Sequence, residues 1–176
     1  MCLIIFAYRS HPDYRLVLAA NRDEFYDRPT QSAGFWEDAP DILAGRDLKA
    51  GGTWMGVTKT GRLAAITNYR EAGSTRKDAP SRGGLVKDYL TGNSAPYDYL
   101  KTVQDKGQIY NGFNLIIGDA NDLYYFSNRD ENIRTIPPGV HGLSNHLLNT
   151  SWPKVDQSTS KLQSLILQKE RISPEN

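Results

Sequence analysis

The sequence predicts an α+β fold built on antiparallel sheets. Short apolar runs, separated by residues that favour turns, supply five strand candidates before the first helical pattern begins near residue 85. Strands without helices between them indicate antiparallel sheet, because parallel βαβ units need a helix at each crossover. Two amphipathic segments, a second group of strands and a last amphipathic segment then follow. The predicted order is therefore strands, helices, strands and helix.

The chain opens with a predicted β-hairpin. Residues 1–6 and 16–20 are apolar runs, and the polar residues 9–14 between them favour a turn. Residues 26–41 contain two prolines and a glycine among mixed polar residues, so we expect a long ordered loop there. Further strands are predicted over residues 42–47, 53–57, 63–68, 113–118, 123–126 and 140–145. Asn68 and Asn145 end two of these strands.

Three helices are predicted from the spacing of apolar residues. Their apolar faces consist of Leu85, Val86, Tyr89 and Leu90, of Tyr97, Leu100 and Val103, and of Trp152, Val155, Leu162 and Ile166. Ser151 is expected to cap the last helix. The polar residues 69–81 have no apolar period, so they are either a mobile flap beside a site or a surface loop.

Length and composition set the class of protein. A chain of 176 residues predicts a single domain over residues 1–176. Lysine and arginine total 21 against 20 acidic residues, and this balance does not predict binding to nucleic acid or to an anionic membrane. One cysteine excludes an internal disulfide and fits the reducing cytoplasm, where we expect the protein to be. The opening apolar run is too short for a transmembrane segment.

The most informative stretch is the quartet Asn-Arg-Asp-Glu at residues 21–24, which the predicted hairpin brings beside Cys2. Removal of Met1 would leave Cys2 with both a thiol and its own α-amine, and an amine of pKa about 8 can accept the thiol proton. Arg22 would then favour the thiolate, and Asp23 would hold the amine. On the alternative interpretation, Cys2 is a small buried hydrophobe and the quartet is a solvated hairpin end.

Other candidate sites are weaker. The quartet recurs at residues 128–131, but no partner strand with a cysteine precedes it, so a turn is predicted. The histidines, His11, His141 and His146, lack the spacing of metal ligands. Gly51, Gly52 and Gly56 do not lead from a strand into a helix, so they are not a phosphate loop. Phe35, Trp36 and Trp54 either line an apolar acyl or haem pocket or belong to the core. No cofactor is predicted.

Several longer motifs resemble one protein family along nearly the whole chain. They are Met1-Cys2, residues 19–26, Arg28-Pro29, residues 51–56, residues 63–69, residues 110–115 and the Gly-Leu-Ser-Asn of residues 142–145. In this order they are similar to the NRDE family, also called the transport and Golgi organisation protein 2 family. That family is in turn similar to N-terminal nucleophile hydrolases of the bile-salt hydrolase and penicillin V acylase type. The resemblance implies a four-layer αββα sandwich, in which two antiparallel sheets pack between two helical layers.

The resemblance also implies roles for single residues. Cys2 matches the nucleophile, and Arg22 and Asp23 match the region of arginine and aspartate beside it. Asn68 matches an asparagine that donates to the oxyanion, and Asn145 matches a second asparagine that supports the nucleophile's amine and the substrate. From the residues alone, each asparagine is equally explained as a cap at the end of a strand.

The function expected from this resemblance is hydrolysis of a linear amide through a thioester on Cys2. The rival is a carrier without catalytic activity that binds haem or an acyl-lipid in the same pocket, and a third reading is a scaffold for protein partners. Residues 173–176 have the pattern of a helix start, and the relatives continue with further helix and strands. We therefore expect the C-terminal part of the family domain to be missing, and the chain to be catalytically incomplete and to self-associate as a homo-oligomer or aggregate.

Overall fold

The computed structural model describes residues 2–71, 73 and 75–167. They form two compact units, which are residues 2–22 with residues 137–167 and, separately, the described residues of Asp23–Ile136. Two expectations from the sequence, the removal of Met1 and the helix start at residues 173–176, fall outside the described residues. The prediction of one domain over residues 1–176 stays a prediction.

Strands and helices follow the predicted order. The strands are β1 (Leu3–Tyr8), β2 (Leu16–Asn21), β3 (Thr30–Trp36), β4 (Ala39–Asp47), β5 (Met55–Thr58), β6 (Leu63–Asn68), β7 (Phe113–Gly118), β8 (Leu123–Ser127), β9 (Arg134–Thr135) and β10 (Gly139–Leu143). The helices are α1 (Gly83–Thr91), α2 (Pro96–Lys106) and α3 (Pro153–Leu167), and a 3-10 turn covers Gly107–Ile109. None of the described helices is both long enough and apolar enough to cross a membrane.

The first unit contains a three-stranded antiparallel sheet in the order β10-β1-β2. β1 and β2 form the predicted hairpin, with Leu3 opposite Asn21 and Tyr8 opposite Leu16. One face of β1 presents Ile4 and Phe6, which are fully buried. Residues from the other face, together with β2 and β10, pack against α3 in a cluster of Ile5, Ala7, Val17, Val140, Leu162 and Ile166. Side chains alternate along β1, so Ile5 and Ala7 face α3 while Ile4 and Phe6 are buried on the opposite face of the sheet.

Gly142 lets α3 approach the sheet closely. A Cβ at this position would lie 2.6 Å from Val155 Cγ1 and 2.8 Å from Thr159 Cγ2. Such contacts are shorter than side chains accept in a packed interior. The first two turns of α3 therefore rest directly on the backbone of β10.

The second unit is a seven-stranded antiparallel sheet in the order β3-β4-β5-β6-β7-β8-β9. Each strand pairs with its neighbour in sequence, and residues 69–112, which contain α1 and α2, form the long connection from β6 to β7. Helices α1 and α2 pack on it through Leu85, Val86, Tyr89, Leu90, Leu100 and Val103. The predicted strands at residues 63–68 and 113–118 coincide with β6 and β7.

The prediction of a long loop over residues 26–41 is wrong. This stretch contains β3 and the beginning of β4, which pair with bulges after Gln31 and after Phe35. Most of β3 is exposed, so its sequence lacks the apolar alternation by which a strand is recognised. Trp36 is buried in the core of this unit, whereas Phe35 is exposed.

Smaller differences concern the ends of elements. β5 begins at Met55 rather than at residue 53, and β10 ends at Leu143, so Asn145 lies beyond the strand. Tyr97 is 45% exposed and is not part of the buried face of α2. Helix α3 begins at Pro153, and the Ser151 hydroxyl bonds the carboxylate of Asp156 rather than the helix backbone. Such boundaries depend on side-chain contacts that periodicity does not encode.

Candidate active site

Cys2 precedes the central strand of the three-stranded sheet. Leu3 pairs with Asn21 on one side, and Ile4 pairs with Leu143 on the other. Continuing the two antiparallel registers toward the N-terminus sets Cys2 opposite Arg22 on one side and opposite Asn145 on the other. Cys2 is half-buried and Asn145 is buried, with 7% of its surface exposed.

The backbone of Cys2 is held by two side chains from the segment that follows β10. The Ser144 hydroxyl donates to the Cys2 carbonyl oxygen at 2.8 Å. The Lys154 ammonium donates to the same oxygen at 3.2 Å. Ser144 is 3% exposed, and its Oγ also lies 3.5 Å from Oδ1 of Asn145. A carbonyl with two donors is fixed in direction, so the backbone that carries the Cys2 side chain is held in place.

Lys154 occupies the first turn of α3 and is half-buried. Burial lowers the pKa of its ammonium below the ordinary lysine value, and the negative charge of the Cys2 thiolate partly opposes this shift. The ammonium also lies 6.0 Å from the centre of the Trp152 ring. A positive charge therefore stands beside the residue that carries the thiol.

The loop between β10 and α3 is fastened to the edge of the sheet. Asn149, at a φ of 61°, accepts the Gly142 N–H with its side-chain oxygen and donates its own N–H to the Gly142 carbonyl. Its side-chain nitrogen lies 3.1 Å from Nδ1 of His141, whose Nε2 lies 2.9 Å from the Pro137 carbonyl oxygen. Within the loop, His146 Nδ1 lies 3.0 Å from the Thr150 hydroxyl. These contacts order the segment that carries Ser144, Asn145 and Lys154.

Two of the predicted site residues belong to the second unit. Asp23 is its first residue and is exposed. Asn68 is the last residue of β6, is exposed, and pairs in register with Phe113. Beneath it, the fully buried Asn114 donates to the Thr67 hydroxyl at 3.1 Å and accepts from Tyr125 at 2.8 Å. This satisfied network fixes the end of β6 from which Asn68 projects.

A cavity of about 320 Å³, open to solvent, lies in the second unit at the last residue of the quartet and the residues after it. It is lined by Glu24, Phe25, Asp27, Arg28 and Lys49. Arg28 is not a mobile charge there, because its Nη2 donates to Oδ2 of Asp47 at 2.6 Å. The aromatic side chains of Phe25 and Tyr26 are exposed.

The second copy of the quartet is a turn, as predicted. Asn128, at its start, is 2% exposed; it accepts the Phe113 N–H and donates to the Gly107 carbonyl. Arg129 forms an ion pair with Glu71. These contacts are structural. Among the residues that the structure describes, no three His, Cys, Asp or Glu side chains are grouped to bind a metal ion.

Sequence reasoning singled out Cys2, Arg22 and Asn145, which the first unit brings to one end of its sheet. It missed Ser144 and Lys154. Ser144 lies in the Gly-Leu-Ser-Asn motif of residues 142–145, but the family resemblance implies a role only for Asn145. Lys154 follows a proline at the start of an amphipathic helix, a pattern that marks the helix start and gives no sign of a contact with Cys2, 152 positions away.

The fold is that of the N-terminal nucleophile hydrolases, as the resemblance implied. The structure is similar to that of the Caenorhabditis elegans N-acylethanolamine-hydrolyzing acid amidase (NAAA) ortholog, with a TM-score of 0.59 and 10% sequence identity. The similarity covers 99% of this chain and 88% of that one. At this identity it concerns the fold alone.

Sequence comparison identifies the family. The chain is 44% identical over 168 residues to the Transport and Golgi organization 2 homolog of Mus musculus, and 30% identical over 189 residues to Transport and Golgi organization protein 2 of Drosophila melanogaster. These matches cover 88% and 94% of this chain, and 60% and 65% of the relatives. The chain thus spans less than two thirds of the length of these relatives. A family model described as Transport and Golgi organisation 2 matches residues 1–176, and the chain belongs to this family.

Proposed function

We propose that this protein hydrolyses linear amides through a thioester on Cys2. The observation that carries the proposal is the hold on the Cys2 carbonyl oxygen by Ser144 and Lys154, at the head of a central strand. Continuing the strand registers past their last pairs sets Cys2 opposite Arg22 and Asn145. A nucleophile needs a fixed backbone and a neighbouring charge that favours its thiolate, and these contacts support such a role for Cys2.

The proposed reaction has two steps and requires removal of Met1. In the first, the Cys2 thiol gives its proton to the α-amine of the same residue, and the thiolate attacks the amide carbonyl carbon. The C–N bond breaks, and the leaving amine takes the proton back from the α-ammonium. In the second, water attacks the thioester, and the C–S bond breaks. The carboxylic acid leaves, and the thiol regains a proton through the α-amine.

The other predicted residues take supporting roles in this proposal. Arg22 stabilises the thiolate, and Asn145 orients the α-amine and the substrate. By the family resemblance, Asp23 holds the amine and Asn68 donates to the oxyanion. Loss of an oxyanion donor costs about 100- to 1,000-fold in kcat in other enzymes. Asn68→Ala and Asn145→Ala are accordingly expected to lose kcat more than KM.

The test is hydrolysis of a panel of acyl amides by this chain and, in parallel, by one of its longer relatives, because the sequence predicts that the chain alone is catalytically incomplete. N-acylethanolamines are the first members, because the structural neighbour is named for hydrolysing them. Intact mass must first show that Met1 is absent from the preparation. We expect release of amine by the wild type and none by Cys2→Ala. Activity that survives Cys2→Ala, or processed wild-type protein that hydrolyses no amide in the panel, contradicts the proposal.

A carrier for haem or an acyl-lipid is the second candidate. Its support is the exposure of Phe25 and Tyr26, with Phe25 81% exposed and lining the cavity of the second unit. The other four residues that line the cavity are charged, so the support for an apolar ligand is the exposed ring of Phe25. We expect a carrier to bind haemin or a fluorescent acyl-lipid equally well as wild type and as Cys2→Ala, and to bind less well as Phe25→Ser. Equal binding by Phe25→Ser would refute this second candidate.

The place of action also remains a proposal. We infer a cytoplasmic location from the single cysteine, which needs no oxidising compartment. A homo-oligomer and a scaffold role stay predictions; size-exclusion chromatography with light scattering tests the former.

A further inference from the structure

We propose that Lys154 is a positioning residue for Cys2: it fixes the carbonyl oxygen of that residue and places a positive charge beside its thiolate. This inference deepens the proposed function and rests on it, because it assigns Lys154 a role at the proposed nucleophile. It concerns a residue that neither the quartet nor the other quoted motifs contain.

The first support is geometric. Lys154 Nζ lies 3.2 Å from the Cys2 carbonyl oxygen. Thiol and carbonyl belong to one residue, so the ammonium lies within roughly one Debye length, about 8 Å, of the sulfur. At this range a half-buried charge still acts on a neighbouring ionisation.

The second support is the way in which the lysine is held. Its helix rests on Gly142, where no side chain separates helix from strand, and the buried Val155 next to Lys154 packs at that point. Asp156 on the same turn is hydrogen-bonded to the Ser151 hydroxyl. The carboxylate nearest in sequence thus has a partner of its own, and the ammonium donates to Cys2.

The third support is that the Lys154 ammonium is half-buried, which disfavours its charged form. Burial disfavours the charged form of a lysine, yet the side chain is directed at a carbonyl oxygen rather than at bulk water. A purely structural contact to that carbonyl is already supplied by Ser144 at 2.8 Å. The Lys154 ammonium is a second donor to the same carbonyl oxygen. Because it is charged, it adds an electrostatic effect on the thiol that the neutral Ser144 hydroxyl cannot have.

Among the described residues of this unit, the proposal assigns three charged groups to the thiol. They are Lys154 from α3, Arg22 next to β2, and the α-amine of Cys2 once Met1 is removed. His146, in the loop after β10, is bonded to Thr150. Replacing one group at a time separates their effects, since each lies on a different element.

The test measures the rate at which iodoacetamide alkylates Cys2 as a function of pH. The chain has one cysteine, so every labelled thiol is Cys2. We expect Lys154→Met to raise the midpoint of the profile and to slow alkylation at pH 7 by about three- to tenfold. Lys154→Arg keeps the charge and is expected to restore most of the rate. Lys161→Met removes the same charge from an exposed position further along α3 and serves as the matched control.

Two results would overturn the inference. One is a profile for Lys154→Met that equals that of the wild type or of Lys161→Met. The other is a profile for Lys154→Arg that equals that of Lys154→Met, because the charge would then play no part. Thermal melting of each variant excludes unfolding as the cause, and Lys154→Gln replaces Lys154→Met if the latter does not fold.

Amide hydrolysis by the wild type is measured separately in the same preparations. Hydrolysis with an unaltered alkylation profile in Lys154→Met refutes the role of Lys154 and leaves the proposed function intact. An altered profile in protein that hydrolyses no amide refutes the proposed function and leaves Lys154 as a modulator of the thiol.

Discussion

The Ser144 hydroxyl donates to the carbonyl oxygen of Cys2 at 2.8 Å, and this bond links the head of β1 to the segment that leaves β10. Ser144 is 3% exposed, so the bond is shielded from competing water. The backbone of the residue proposed as nucleophile is therefore held in place by a packed neighbour.

Arg22→Ala is expected to raise the pKa of the Cys2 thiol, because the register sets Arg22 opposite Cys2 and a guanidinium favours a thiolate. We expect alkylation at pH 7 to slow by about three- to tenfold. Arg15→Ala is the matched control, since Arg15 is exposed and lies about 20 Å away, before the other end of the same strand. An alkylation profile that Arg22→Ala leaves unaltered would show that Arg22 does not act on the thiol.

Gly142→Ala is expected to destabilise the protein by about 1–3 kcal/mol, because the new Cβ would overlap Val155 and Thr159 of α3. Denaturant unfolding measures this change. Gly84→Ala is the control, since a Cβ there meets nothing within 4 Å and the position is helical. We expect that variant to be as stable as the wild type or slightly more stable. Equal stability of Gly142→Ala and the wild type would show that α3 does not rest on β10 as described.

Tyr89 is expected to make stability fall between pH 10 and pH 12. Burial raises its pKa from 10.0 to about 12, and its hydroxyl donates to the Gly118 carbonyl at 2.8 Å. Above pH 10 the unfolded chain loses this phenolic proton while the folded chain retains it, so unfolding becomes more favourable as pH rises. Burial raises the pKa of Tyr99 as well, so part of the fall belongs to that residue.

The matching variant is Tyr89→Phe. At neutral pH it is expected to lose about 1–3 kcal/mol, because the Gly118 carbonyl loses its donor from Tyr89. Between pH 10 and pH 12 its stability should fall less steeply than that of the wild type. If the stability of Tyr89→Phe and of the wild type fell equally steeply between pH 10 and pH 12, Tyr89 would not be the group that titrates.

Asp47 is expected to contribute stability that is lost in acid. Burial opposes its ionisation, but hydrogen bonds from Arg28 and from the N–H groups of Lys49 and Ala50 lower its pKa below the ordinary value. Such a carboxylate stabilises the fold above about pH 4, and the contribution disappears as pH falls through its lowered pKa.

Asp47→Asn is therefore expected to cost about 1–2 kcal/mol at pH 7 and to differ little from the wild type in strong acid. Asp41→Asn is the control. Its carboxylate is 69% exposed and lies 3.6 Å from Lys59, so we expect a change of less than about 0.5 kcal/mol. Equal losses of stability in Asp47→Asn and Asp41→Asn would show that the Arg28–Asp47 ion pair contributes no more than the exposed Lys59–Asp41 pair.

The sequence predicted the parts of the fold that show an apolar pattern. β6 and β7 are buried along nearly their whole length, and their bounds agree with the apolar runs at residues 63–68 and 113–118. β3 was missed because it is an exposed edge strand whose central residues, Gln-Ser-Ala-Gly, lack an apolar alternation. Its formation depends on pairing with β4, which no local pattern reveals.

The candidate site could be predicted only in part. Hairpin geometry suffices to bring residues near Asn21 beside Cys2, since the two ends of an antiparallel pair must meet. Lys154 could not be found in this way. Its contact with Cys2 depends on how α3 lies on Gly142, a matter of tertiary packing between segments distant in sequence.

The most direct test of the central claim is to trap the acyl-enzyme. Protein that lacks Met1 is mixed with a linear acyl amide, quenched in acid at short times and weighed intact, with and without hydroxylamine, which cleaves thioesters. We predict a mass increase equal to the acyl group, confined to the peptide that begins at Cys2, removed by hydroxylamine and absent from Cys2→Ala. Release of the acid and amine products without any acyl adduct in the wild type, or an adduct that persists in Cys2→Ala, would contradict the assignment of Cys2 as the nucleophile.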